Sequence, residues 1–167
     1  APGDAGSMAS MRQQVGLLAR VLPEAAAVLP LLPAPAVVAF SGHMIDAPDR
    51  SEPRFPLELE PAVAAAIRQH LAGLLEPIIY TSAACGADLI FIEAALARGA
   101  EVNVVLPFDR DDFVGASVAS GGADWVRRFE DALTRVARVI PATQESYLGD
   151  DVLFEQVTDD LPIGAAE

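Results

Sequence analysis

Three short segments hold the side chains of this chain best suited to chemistry: Ser41-Gly42-His43, Ser82-Ala83-Ala84-Cys85-Gly86-Ala87-Asp88, and Pro107-Phe108-Asp109-Arg110. Serine hydroxyls and the N–H groups of a tight turn are donors for an anion. A helix opening directly behind such a turn adds unpaired N–H groups and the positive end of its dipole. Gly86 and its neighbouring alanines leave room for a ligand to approach the backbone. On this reading Gly86→Val lowers ligand affinity tenfold or more, about 1.4 kcal/mol, and leaves the fold intact. His43 can hydrogen-bond a phosphate or ribose, or exchange a proton near neutral pH, although a local hydrogen-bonding role competes. Ser82 is either a phosphate donor or a turn hydroxyl. Asp88 falls in the first turn of its helix, where a structural carboxylate is favoured over a ribose contact. Arg110 is flanked by Asp109, Asp111 and Asp112, so an anion clamp competes with a solvated charge cluster. The candidate ligand-binding set is Ser41, Gly42, His43, Ser82, Gly86, Asp88 and Arg110.

Several chemistries are absent from this pattern. Cys85 lies where a helix terminus lowers a thiol pKa, but no second cysteine or paired histidine accompanies it. A small packed residue is the expectation. Two histidines and one cysteine give no metal-ligand spacing. No phosphate-loop, nucleophile-elbow or dinucleotide fingerprint occurs. No catalytic residue, metal or cofactor is assigned.

The elements that must position these loops follow from periodicity. Residues 36–40, 78–81 and 101–108 are short apolar runs that read as buried strands, and 138–142 is a fourth. A helix starts near Pro61, with Glu58 and Glu60 at its positive end and a stripe of Val63, Ile67, Leu71, Leu74 and Leu75. A second follows Asp88. A third, which Asp124 is placed to cap, has an apolar face of Val126, Phe129, Leu133 and Val136. Segments 44–56 and 109–122 read as loops. Segment 147–151 joins the strand-end loops and leads into one more helix. Strands alternating with helices predict an α/β fold, a Rossmann-like three-layer sandwich with a mainly parallel sheet of four or five strands and helices on both faces. Residues 1–35 are expected as a separate N-terminal helix and proline-rich linker, with the binding domain over 36–167. Residues 1–10 lack the layout of a secretion signal and are compatible with an expression remnant.

With 167 residues, 52% of them hydrophobic, the chain can bury a substantial core. Its net charge is −13, and all 11 basic residues are arginine. Such a surface repels a phosphate backbone, so nucleic acid is excluded as a partner. A mononucleotide is not, because local donors can offset the global field. The lone cysteine agrees with a reducing compartment, and no apolar run reaches membrane-spanning length. The expected location is cytoplasmic, with no membrane partner.

Together, Phe40-Ser-Gly-His43, the 82–88 turn and Val104-Val-Leu-Pro-Phe108 resemble the SLOG superfamily, which includes the DNA-processing protein A fold and the Lonely Guy phosphoribohydrolases. The likeness covers about residues 36–155. Gly42-His-Met-Ile-Asp46, Phe129-Glu130 and Tyr147-Leu-Gly-Asp-Asp151 look most like the domain that follows tetratricopeptide repeats in bacterial signalling proteins. That context makes the N-terminal helix the end of an upstream repeat array. The resemblance implies a nucleotide-like ligand held by Ser41, Gly42, Ser82 and Gly86. The Pro-Gly-Gly-x-Gly-Thr-x-x-Glu segment of the Lonely Guy enzymes is missing, and the sequence shows no arginine positioned to pair with Glu93.

The expected function is a non-catalytic sensor or regulatory module for a nucleotide-like small molecule. A nucleotide or nucleoside-phosphate hydrolase is the alternative, with His43, Glu93 or Asp150 as general base. A structural interaction domain is the third. Neighbouring domains of the same chain and a second copy of it are the protein partners left open. A carboxylate and arginine converging beside an open pocket would favour the enzyme.

Overall fold

A computed structural model describes residues 4–32, 35–47 and 50–143. Four strands, β1 (Val37–Phe40), β2 (Ile78–Thr81), β3 (Glu101–Leu106) and β4 (Arg138–Pro141), form one sheet in the order β1-β2-β3-β4. All three pairings are parallel, with Phe40, Thr81, Val104 and Val139 in one register row. The chain is therefore α/β, with an all-parallel sheet flanked by helices in a Rossmann-like arrangement.

The helices are α1 (Asp4–Leu18), α2 (Glu60–Ala72), α3 (Ala87–Ala97), α4 (Arg110–Ser117) and α5 (Ala123–Arg135). Right-handed crossovers between successive neighbouring strands carry consecutive helices to the same face. Accordingly α2 packs on α3 and α3 on α5. Beneath them lies a core of Ile79, Val102, Val104, Leu89, Ile92 and Phe129, all without accessible surface. Phe40 of β1 stacks on Phe91 of α3 with centroids 4.0 Å apart. On the other face Ile78 and Asn103 are buried, and Val37 and Tyr80 are exposed. The Asn103 amide donates to the Ile79 carbonyl at 3.3 Å, which gives its buried Nδ2 a partner.

Several sequence expectations change. The stretch 109–122 is not a loop. Asp109 caps α4 by accepting from the N–H groups of Asp111 and Asp112, and a 3-10 turn at Ala119–Gly121 follows. Gly122 at φ 99°, not Asp124, is the N-cap of α5, while Asp124 pairs with Arg127 inside the first turn. Leu75 lies beyond the end of α2 and is 75% exposed, so the core stripe stops at Leu74. The buried face of α5 is Trp125, Phe129 and Ala132, with Val126, Leu133 and Val136 only partly covered. The proline-rich segment is a 3-10 helix over Pro23–Leu31. Arg12 ties it to α1 by donating to the carbonyls of Leu29 and Leu32 at 2.7 and 2.6 Å. Segment 147–151 and the helix expected after it lie outside the described residues. Among the described residues no helix is long and apolar enough to cross a membrane.

Candidate functional site

The two turns at the carboxyl edge of the sheet meet through Asp88. Its side chain is buried at the start of α3, where Oδ1 accepts the Gly42 N–H at 2.8 Å and Oδ2 accepts the Ser82 hydroxyl. The Ala84 N–H adds a third donor. These turn donors are among those that the sequence reserves for a bound anion. In the fold they hold the chain's own carboxylate. Burial pushes the Asp88 pKa above the ordinary carboxylate value, against the downward pull of Ser82, Gly42 and Ala84.

Gly86 serves the same closure. It sits at φ 105°, and Met44 bridges to it across the turn. The Ile45 N–H donates to the Cys85 carbonyl at 3.1 Å, and the Ala87 N–H donates to the His43 carbonyl at 3.0 Å. The room above Gly86 is thus filled by the 43–45 backbone. The Cys85 N–H reaches the Ser117 carbonyl at the end of α4, and the thiol is fully buried beside the Ser120 hydroxyl.

Next to this sewn edge an open cavity of about 490 Å³ lies between the loop after β1 and the start of α5. Asp46, Arg50, Glu60, Gly121, Trp125 and Arg128 are among its walls. Arg128 organises it. Its Nε and Nη2 donate to the two Glu93 oxygens at 2.7 and 2.8 Å, and Nη1 donates to Glu60 at 2.8 Å. The guanidinium lies 3.9 Å from the ring centroid of Trp125. Burial alone would lower the Arg128 pKa, but Glu93 and then Glu60 outweigh it and the net shift is upward. This arginine joins α2, α3 and α5, one helix through each side chain. We expect Arg128→Ala to destabilise the domain by about 2–3 kcal/mol, because two partly buried carboxylates lose their shared cation. Urea denaturation of both proteins measures it, and a change under 0.5 kcal/mol would show the three-helix clasp to be idle.

Asp46 is the second anchor. Its side chain is 7% exposed, and Oδ2 accepts the N–H groups of Arg54 and Phe55, each at 2.8 Å. Oδ1 has no hydrogen-bond partner and faces Arg50 Nε across 3.4 Å.

The structure therefore brings Gly42, Ser82, Gly86 and Asp88 together as one closed turn. Ser41 and His43 are exposed on the loop beside it. Arg110 is committed to Glu130 on α5. Glu93 does have a positioned arginine, which corrects the sequence reading. Arg128 is a functional candidate that the sequence reading does not single out. Its spacing was the available signal, since i and i+3 share a face. A larger groove of about 890 Å³ lies between α1 and the amino ends of β3 and β4. Ligands of open parallel sheets bind at the opposite, carboxyl edge, so the smaller cavity is the candidate. Among the described residues no cluster of three or more histidine, cysteine or acidic side chains is arranged for a metal ion. The chain matches no protein-family model, and no curated protein is significantly similar to it.

Proposed function

We propose that this domain is a non-catalytic regulatory module that binds a nucleotide-like small molecule in the cavity bounded by Asp46, Glu60 and Arg128. The observation that carries the reading is an open volume of about 490 Å³ at the carboxyl edge of a parallel sheet. It is large enough for a nucleoside-sized ligand. Trp125 and Arg128 in its wall are tied to each other and to α2 and α3 by the guanidinium's contacts, which supports a preformed site. The resemblance to SLOG domains supports the nucleotide-like class. Mass spectrometry of small molecules released from natively purified protein tests the proposal, together with melting curves against a nucleotide and nucleoside panel. A bound ligand at a hundred times its Kd adds about 2.7 kcal/mol and raises the melting temperature by several degrees. No released ligand and no shift across the panel would remove the reading.

One observation favours the hydrolase alternative. Arg128, Glu60 and Glu93 converge in and behind the cavity wall. Against it, both Glu93 oxygens are already occupied by Arg128, so a base would first have to break two charge-assisted bonds. We expect no release of free base from adenosine monophosphate at roughly one per second, the scale of an enzyme. Turnover at that rate, lost in Glu93→Gln, would establish the alternative.

A further inference from the structure

We infer that the cavity selects a ligand rich in N–H or O–H donors and free of negative charge, a dephosphorylated nucleoside or an organic amine over a nucleotide. The inference rests on the proposed binding function and names its ligand chemistry. Three observations converge on it. The donors suited to phosphate, on Gly42, Ser82 and Ala84, are filled by Asp88 and do not serve the cavity. The charged groups in the cavity wall are four carboxylates, Asp46, Glu58, Glu60 and Asp124, against two guanidinium groups, Arg50 and Arg128. Of those two, Arg128 is consumed by Glu60 and Glu93, and Arg50 donates its Nε to the Glu52 carbonyl.

The unsatisfied group is an acceptor. The Asp46 side chain is 7% exposed and held by two backbone N–H groups, and its Oδ1 carries no hydrogen bond, only the ion pair with Arg50. A buried carboxylate oxygen gains most from a charge-assisted donor. The Arg50 guanidinium, 3.4 Å from Oδ1 and 41% exposed, marks where such a donor stands. A ribose hydroxyl pair, an exocyclic amino group or an ammonium meets that need. A phosphate does not, and the chain's net charge of −13 opposes it further.

The test is calorimetric titration of the whole chain with adenosine, agmatine and adenosine monophosphate, each at low and high salt. Adenosine or agmatine is expected to bind at least tenfold tighter than the monophosphate, and whichever of the two binds identifies the source of the donors. Added salt narrows the gap, because screening weakens the repulsion of the phosphate. Asp46→Asn should weaken the preferred probe tenfold or more. If that variant does not fold, Arg50→Ala carries the test and should tighten agmatine at least threefold while weakening the monophosphate. A monophosphate bound as tightly as adenosine would overturn the inference and leave the binding function standing. Unchanged affinities in the folded variants, or no binding by any of the three probes at 10 mM, would also overturn it. Small molecules released from native protein then decide the binding function separately.

Discussion

Gly86→Ala is expected to abolish the native edge of the sheet, and Gly86→Val to prevent stable folding. A Cβ at Gly86 would lie 2.5 Å from the Ile45 nitrogen, 2.6 Å from the His43 oxygen and 2.8 Å from the Met44 carbonyl carbon. All three are backbone atoms, so no side-chain rotation relieves the clash. The residue also holds φ 105° and ψ −130°, a region open almost only to glycine. To accept a side chain, the 43–45 segment would have to lift away. Its movement would break the Met44 bridge and the hydrogen bonds from Ile45 and Ala87. Strain, steric overlap and unpaired backbone groups together put the expected loss at about 4 kcal/mol or more. This revises the expectation that valine would obstruct a ligand and spare the fold. Circular dichroism and urea denaturation of the two variants measure it. A folded Gly86→Val within 1 kcal/mol of the parent would show that the loop can move aside cheaply and return the turn to the list of ligand sites.

The contrast between these two readings of Gly86 shows what a sequence carries. Strand runs such as Val37–Phe40 and Ile78–Thr81 are legible because consecutive β-branched and aromatic residues suit a sheet buried by helices. The strand-turn-helix at 82–88 is legible for the same local reason. Which group fills the turn is not local. Asp88 meets the Gly42 N–H from 46 residues away, and only the pairing of β1 with β2 sets that distance. The α4 helix was hidden by its composition, since Asp109 to Asp112 looks like a solvated loop until Asp109 acts as a cap. The cavity depends on Asp46, Glu60 and Arg128, drawn from three separate elements. Glu60 reads alone as an acid at a helix's positive end, and the convergence of the three exists only in the packed fold.

Asp88→Ala is expected to lower stability by about 3–5 kcal/mol, and Asp88→Asn by much less, with a difference that depends on pH. Alanine leaves the Gly42 and Ala84 N–H groups and the Ser82 hydroxyl, in a partly buried turn, without the carboxylate they share. A fully buried unsatisfied donor costs about 1–3 kcal/mol, and water reaching this partly exposed turn keeps the sum well below three times that. Asparagine keeps the shape. Its oxygen can accept the Gly42 N–H while its amide donates to the Ser82 oxygen, whose hydroxyl rotates freely. The pH dependence follows from the direction of the Asp88 shift. Burial raises the pKa in the folded protein above the unfolded value of about 4. The folded state therefore holds the proton more tightly than the unfolded chain. The stability that Asp88 contributes is complete below the unfolded pKa and declines as pH rises through the folded one. Asparagine does not titrate. The stability advantage of the parent over Asp88→Asn should accordingly be largest near pH 4 and shrink toward pH 7. Urea denaturation of parent, Asp88→Asn and Asp88→Ala at pH 4, 5.5 and 7 reads both effects. If the advantage over asparagine grew with pH, the ionised carboxylate would be the favoured form. The three donors would then outweigh burial, and the turn would be an anion site whose resident anion happens to be Asp88.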